Sequence, residues 1–367
     1  MNLKRCFHLV AAILAATLAL CVPASALSAQ HAAVLDARTG QMLFSRDENS
    51  RCLIASTTKI MTGLLICEDC DLQREITIPP EAEGVEGSSI YLRAGERLTI
   101  ENLLYGMMLQ SGNDAATALA LAHSGSIEAF AARMNARAQD LGLQNTHFAN
   151  PHGLDDDGNY STAADLARLA CAAMENETFA KVVSTKQYRF GQRVVTNHNK
   201  LLWRLEGAEG VKTGFTKAAG RILVSSATRQ GRRLICVTIN APDDWNDHCA
   251  LYDEGFGQLH PCTLCRKGQI FGAVTAPDGT LRGYLAAAQP VEVCLLPEEQ
   301  VDGVRVVTGP CARVEFSVNG SVIAACPLET IGENDGGTNP ENHCSAGCDL
   351  PPRRGGTDPG GTGAGER

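Results

Sequence analysis

The chain has 367 residues, 44% of them hydrophobic and 20% charged, and its 36 glycines and 15 prolines follow no triplet period. It can therefore bury at least one sizeable core, and general disorder and collagen-like repeats are excluded. A formal charge of −9 argues against a constitutive nucleic-acid binder, because neutralising phosphates takes a basic face.

The N-terminal stretch has the layout of a cleaved secretory signal. Lys4 and Arg5 precede an apolar run over 9–22, followed by Pro23 and the small residues Ala24, Ser25 and Ala26. Cleavage is expected after Ala26 or after Ala29, so residues 1–26 are assigned to the signal and the mature protein is expected outside the cytoplasm, in the envelope or secreted. Leu20 before Cys21 disfavours a lipoprotein anchor. Removing Cys6 and Cys21 from the fifteen cysteines leaves an odd number, so at least one thiol is free or pairs between chains. Cys67 and Cys70, and Cys262 and Cys265, have C-x-x-C spacing, but the pairs lie far apart and no paired histidine follows either. Local disulfides or ordinary thiols are favoured over a zinc site.

Residues 32–36 and 41–45 read as a hairpin turning at 37–40. A helix is expected over 56–66, and another where Leu103, Leu104, Met107 and Met108 recur at helical spacing before Ser111 and Gly112. Ser126 reads as the cap of a helix carrying Ile127, Phe130, Met134, Ala138 and Leu141 on one face, with Gly142 ending it. Thr162 and Asp165 have capping-box spacing ahead of Leu166 and Leu169. Strand character returns after Gly210, with 220–228 and 232–240 joined by a turn at 229–231. An early hairpin, central helices and a late hairpin predict an α+β domain over 30–256, in which both chain ends close one sheet. Short β-like runs at 270–275, 291–296, 304–307 and 314–318 predict a small all-β domain over 257–330. Residues 331–367 carry 10 glycines and 4 prolines and almost no large apolar side chain, so a disordered tail without an amphipathic membrane anchor is expected.

Three motifs occur in chain order: Ser56-Thr57-Thr58-Lys59, Ser111-Gly112-Asn113 and Lys212-Thr213-Gly214. The middle one is weak alone, since Ser317-Val318-Asn319 matches it too, but the order and spacing of all three form a strong joint signal. A serine hydroxyl must lose its proton as it attacks, so it needs a base in reach. Lys59, one helical turn after Ser56, reaches the hydroxyl and serves as base when burial and a nearby cation such as Lys212 favour its neutral form. Ser111 offers a second hydroxyl for proton transfer to a leaving amine, and Asn113 an amide that grips a peptide carbonyl or orients Lys59. Lys212 and Thr213 present a cation and a hydroxyl to a carboxylate. Gly214 lets a peptide approach the strand edge, and the Phe215 N–H joins that of Ser56 as an oxyanion hole. Singly, each motif also reads as ordinary structure: a surface Lys after a capping Ser, a turn between helices, an edge lysine. Their joint occurrence outweighs those readings. His152, within Asn150-Pro151-His152-Gly153-Leu154, either lines the site or is a turn histidine bonded to backbone; the second is favoured.

On these motifs, and on the stretches 33–36, 109–116, 150–154 and 220–224, the chain resembles serine-type D-alanyl-D-alanine carboxypeptidases, the low-molecular-mass penicillin-binding proteins. The resemblance covers most of 31–256 and extends to the β-like domain. It implies the serine β-lactamase/penicillin-binding-protein fold, an antiparallel sheet packed with helices. It further implies that Ser56 attacks the carbonyl between two D-alanines of a peptidoglycan stem peptide, with Lys59 as base and Ser111 as proton relay. Lys212 and Thr213 would hold the terminal carboxylate, β-lactams would acylate the same serine, and no metal or organic cofactor is implied. There are departures: Phe215 stands where some relatives have His, and the family's usual C-terminal anchor is missing. Some relatives also carry an Arg after the late hairpin that assists carboxylate binding; here residues 243–248 leave that cation absent or supplied by His248. A class A-like β-lactamase would need a Glu to position water, and Glu175 and Glu177 sit in no recognisable loop. A D,D-endopeptidase or transpeptidase is the nearer enzymatic alternative, and a silent peptidoglycan-binding protein the non-enzymatic one.

Overall fold

A computed structural model describes residues 27–332; the expected signal and almost all of the expected tail lie outside the described residues. The chain divides into two compact units, one running to His260 and including Cys294–Pro297, the other comprising Pro261–Val293 and the chain from Glu298 onward.

The first unit is organised by a five-stranded antiparallel sheet of β1 (His31–Asp36), β2 (Met42–Arg46), β3 (Ala208–Thr216), β4 (Gly220–Arg229) and β5 (Arg232–Ile239), in the order β2-β1-β5-β4-β3. The two chain ends meet at its centre, where His31 pairs with Ile239 and Asp36 with Leu234. Arg229 pairs with Arg232, so the β4–β5 turn is only Gln230-Gly231, both with positive φ. That is the conformation whose twist suits a two-residue hairpin, and it returns Arg229, expected in the turn, to the strand.

Alternate residues of the central strands enter two apolar layers. Ala33, Leu35, Ile222, Val224, Ile235 and Val237 join the large core beneath the helices, whereas Ala32, Val34, Ala227, Leu234 and Cys236 pack with Leu251 and Tyr252. The helices are α1 (Lys59–Asp69), α2 (Ile100–Leu109), α3 (Asn113–Ser124), α4 (Ile127–Asp140), α5 (Ala163–Glu175), α6 (Glu177–Ser184), α7 (Leu201–Arg204) and α8 (Asp244–Gly257). α8 carries Leu251 and Tyr252, so it covers the opposite sheet face from the other long helices. Every residue of α1 from Lys59 to Ile66 is buried, which makes it a central helix packed on all sides.

Ser126 and Thr162 cap α4 and α5, accepting from the Ala129 and Asp165 N–H groups. The capping box expected at Thr162 is only half formed, because the Asp165 carboxylate instead accepts from Asn145 N and Thr146 Oγ1. The helix expected from residue 56 also begins later: Ala55–Thr58 is a 3₁₀ turn, and α1 starts at Lys59.

The second unit contains β6 (His260–Cys265), β7 (Ile270–Thr275), β8 (Leu281–Ala287), β9 (Val291–Leu295), β10 (Gly303–Val307), β11 (Arg313–Val318) and β12 (Ser321–Ile331). Strands β7-β8-β12-β11-β10 form one sheet and β6-β9 a second, over a small core that includes Val314, Phe316, Cys265 and Cys326. Among the described residues no helix is long and apolar enough to cross a membrane.

One buried ion pair ties the sheet centre together. Asp36, which also accepts from Thr39 N and Thr39 Oγ1 at 2.8 Å each, pairs with Arg232, and both side chains are sealed from solvent. Removing one partner leaves the other charge buried. Asp36→Ala is expected to lower the unfolding free energy by about 3–5 kcal/mol, measured by urea denaturation.

Candidate active site

Three chain segments and the edge strand β3 converge on the start of α1. Ser56 lies in the 3₁₀ turn and Lys59 opens the helix, so their i, i+3 spacing places Lys59 Nζ 3.0 Å from Ser56 Oγ. The same Nζ lies 2.6 Å from Asn113 Oδ1 and 2.6 Å from the His152 carbonyl oxygen. Asn113 is the first residue of α3; its N–H donates to the Ser88 carbonyl and its Nδ2 to that of Glu86. The second bond fixes which amide atom faces Lys59: it is the oxygen, an acceptor.

This arrangement decides where a proton can go. Lys59 is fully buried, and burial, reinforced by the charge of Lys212, pushes its pKa well below the ordinary lysine value against a smaller opposing effect of Asp114. In the neutral form that burial favours, the amine has two N–H donors and one lone pair. Asn113 Oδ1 and the His152 carbonyl only accept, so they take the two donors. The lone pair is then left for the Ser56 hydroxyl, the one partner that carries a proton to give.

The His152 segment is wedged against the nucleophile turn. Asn150 Oδ1 accepts from the N–H groups of His152 and Gly153, and Thr62 Oγ1 donates to the Pro151 carbonyl. Gly153 has φ +87°, and a Cβ there would lie 1.8 Å from the Ala55 carbonyl oxygen, so no other residue fits without moving the Ser56 turn. The His152 ring accepts from Leu154 N, and burial, with the charge of Lys59, lowers its pKa to about 4. The histidine is therefore a neutral turn residue, as favoured from sequence. Its contribution to the site comes through its carbonyl, which sequence reasoning missed because a backbone acceptor leaves no mark on residue identity.

Ser111 ends the link from α2 to α3 with φ 63°, nearly buried, two residues before Asn113. β3 carries the third motif, with Lys212 opposite Val224, Thr213 opposite Leu223, Gly214 opposite Ile222 and Phe215 opposite Arg221. A Cβ on Gly214 would stand 3.3 Å from Ser56 N and from the Ile54 carbonyl. The missing side chain thus lets the strand lie directly against the nucleophile's backbone. Lys212 is fully buried, donates to the Thr213 carbonyl at 2.9 Å, and is pushed by burial to a pKa of about 7. Phe215 stands 65% exposed at the mouth.

The expectation for His248 is corrected. Its ring is sealed between α8 and the sheet, bonded to Ser225 Oγ at 2.7 Å and Thr238 Oγ1 at 3.0 Å, and burial lowers its pKa to about 3. A neutral interior imidazole supplies no cation to the mouth of the cleft. Glu175 and Glu177 lie at the end of α5 and the start of α6.

A serine hydroxyl 3.0 Å from a desolvated lysine, set beneath a sheet edge on this α+β scaffold, fits the class of serine acyl-transferring enzymes with the penicillin-binding fold. The chain belongs to the D-alanyl-D-alanine carboxypeptidase family, whose model matches residues 19–243, and it is a serine peptidase of that family rather than a silent binding protein. It is 33% identical to the D-alanyl-D-alanine carboxypeptidase DacF of Bacillus subtilis over 76% of this chain and 75% of the relative. It is 36% identical to DacB2 of Mycobacterium tuberculosis over 62% of this chain and 82% of that protein. The Streptomyces K15 DD-transpeptidase structure superposes with a TM-score of 0.61 at 33% identity, covering 63% of this chain and 98% of the other.

Buried lysines also leave a signature in stability. With a native pKa of about 7 against an ordinary value of 10.5, Lys212 is deprotonated in the folded state and protonated in the unfolded state between those limits. The unfolded chain then binds more protons, so this residue makes stability rise with pH from about 7 upward. Relative to Lys212→Met, the unmodified protein is expected to take up about one extra proton on unfolding at pH 8–9, measured as the pH slope of the urea unfolding free energy.

Proposed function

We propose that the protein is an exported serine D,D-carboxypeptidase that removes the terminal D-alanine from peptidoglycan stem pentapeptides through an acyl-enzyme on Ser56. The observation that carries this reading is the placement of Lys59 Nζ 3.0 Å from Ser56 Oγ and 2.6 Å from two groups that only accept, so that the neutral amine would turn its lone pair to the hydroxyl. Attack of Oγ on the carbonyl between the two D-alanines forms the C–O bond while Lys59 takes the Oγ proton. The negative oxygen of the tetrahedral intermediate is met by the N–H groups of Ser56 and Phe215. Collapse breaks the C–N bond, and Ser111 passes a proton to the departing D-alanine nitrogen. Asn113 orients Lys59 and is available to the substrate amide, while Lys212 and Thr213 receive the terminal carboxylate and Gly214 admits the peptide along β3. Water then hydrolyses the ester and regenerates Ser56.

A β-lactam enters the same sequence, but its leaving nitrogen stays tethered to the acyl group after the ring opens. The leaving group therefore remains in the cleft and the ester persists. Covalent capture of β-lactams and release of D-alanine are two readouts of one nucleophile. The Streptomyces neighbour named a transpeptidase supports a partition of the acyl group between water and an amine acceptor as the principal variation.

Incubation of the protein with diacetyl-Lys-D-Ala-D-Ala is expected to release free D-alanine, and benzylpenicillin to leave a stable adduct seen by intact-protein mass and mapped to Ser56. Ser56→Ala and Lys59→Met should each reduce D-alanine release by about 10³-fold or more. Rapid penicillin turnover without peptide cleavage would point instead to a lactamase.

A further inference from the structure

Two of the five residues in the buried core cluster of the second unit are cysteines, Cys265 and Cys326, beside Ala287, Val314 and Phe316. Cys265 closes strand β6, and Cys326 lies within β12 opposite Val314. These strands belong to different sheets. Their sulfurs nevertheless converge on one acceptor, the Gln289 carbonyl oxygen, which lies 3.8 Å from Cys265 Sγ and 3.3 Å from Cys326 Sγ. The thiols also meet each other: burial first, and then the Cys326 thiol beside it and hydrogen-bonded to it, push the Cys265 pKa up to about 11. Both residues are thiols in this structure.

The C-x-x-C spacing pairs Cys265 with Cys262 in sequence, but the strand forbids that bridge. Both lie in β6. Residues three apart on a β-strand point to opposite faces and stand about 10 Å apart, whereas a disulfide needs Cα atoms within about 7 Å. A bond from Cys265 to Cys326 instead closes a loop spanning β7 to β11. Closing so long a loop removes more entropy from the unfolded chain than a local bridge does, and a unit with so small a core gains most from it.

We propose that Cys265 and Cys326 are a disulfide-forming pair that staples β6 to β12 when the chain folds in an oxidising compartment. The co-reactant is a disulfide-bearing oxidant such as glutathione disulfide. One cysteine thiolate attacks the S–S bond of the oxidant, forming a mixed disulfide and expelling one of the oxidant's thiolates. The second cysteine thiolate then attacks the cysteine sulfur of the mixed disulfide, forming the Cys265–Cys326 bond and expelling the other. The two cysteines thereby lose two protons and two electrons, and the oxidant leaves as its two thiols. Burial sets the timing. In the folded unit Cys265 is 1% and Cys326 0% exposed, and a thiol raised to about 11 is almost wholly protonated at neutral pH. Exchange is therefore a folding event, completed before the core closes, and the finished bond is shielded from reductants. The proposal takes only export from the carboxypeptidase reading, because exported chains fold where such oxidants prevail; the serine chemistry plays no part in it.

The test starts from the full chain, reduced and unfolded in urea with dithiothreitol and then refolded in a mixture of reduced and oxidised glutathione. Remaining thiols are blocked with N-ethylmaleimide and the protein is digested without reduction. Mass spectrometry is expected to find, as the main cross-link, a peptide pair joined through Cys265 and Cys326. Recovery of both as maleimide adducts, or of Cys265 joined mainly to Cys262 or to any other cysteine, overturns the proposal. In calorimetry, reducing the bonded protein should lower the midpoint of one unfolding transition by about 10 °C or more. The double variant Cys265→Ala, Cys326→Ala should show no such dependence on reductant. An equal shift in both proteins, or none in the unmodified one, means that this bond does not staple the unit and the proposal fails. If the double variant does not fold, the peptide map of the unmodified chain still decides. Glutathione is supplied during refolding, so a missing bond is distinct from a failure of export, and D-alanine release from the same sample tests the carboxypeptidase reading separately.

Discussion

The first unit is arranged around one demand: a lysine side chain must reach a serine hydroxyl from a place that disfavours its own charged form. Water would keep Lys59 charged, so the amine has to be buried; buried, it has to find partners. The structure meets both demands with a helix packed on all sides and with acceptors from two other segments, the side chain of Asn113 and the carbonyl of His152. Each acceptor is itself fixed, Asn113 by the Glu86 and Ser88 carbonyls and the His152 turn by Asn150 and Thr62. The hydrogen bonds that orient one amine therefore bind distant parts of the chain to the start of α1.

That convergence explains where unusual backbone is found. Positive φ at non-glycine residues is tolerable in exposed turns such as Asp47, Asn240 and Asn319, whose short polar side chains accept the left-handed region. Ala55 and Ser111 have no such excuse, and both flank the site: Ala55 precedes the nucleophile and Ser111 is the second hydroxyl of the motif set. Their conformations persist because surrounding contacts leave no alternative. The Ala55 carbonyl is packed against Gly153, and Ser111 is caught between two helices whose interiors are buried. The site is thus paid for by the sheet and helix packing behind it, including the sealed pair of Asp36 and Arg232.

Much of this was legible in the chain. The hairpins β1–β2 and β4–β5 announce themselves by β-branched runs around short turns, and the three motifs are contiguous in sequence, so residue identity alone names the groups that meet. What sequence hid depends on position in space. The acceptor at His152 is a backbone oxygen and any residue there would carry one. Ser56 lies in a 3₁₀ turn rather than in the helix, a distinction that i, i+3 spacing does not reveal. The burial of His248 follows from α8 lying flat on the second sheet face, where Ser225 and Thr238 receive its ring.

The lifetime of the covalent intermediate is governed by what surrounds the ester, and here the placement of carboxylates is decisive. A second carboxylate able to activate water would have to accept a proton beside the acylated serine. Asp114, whose charge is felt by Lys59, is committed elsewhere. Its oxygens accept from Ser89 Oγ and from the N–H groups of Ile90, Leu92 and Ala115. Four donors hold that carboxylate in place as a brace for the loop ahead of α2. Among the described residues, no acidic side chain hydrogen-bonds to Ser56 or Lys59. On the proposed mechanism Lys59 is then the group that serves in both halves of the reaction, and the leaving group of a β-lactam stays tethered beside it. The proposed geometry thus joins the two readouts: the placement that would make Ser56 reactive toward a peptide ending in two D-alanines would also make it slow to shed a β-lactam.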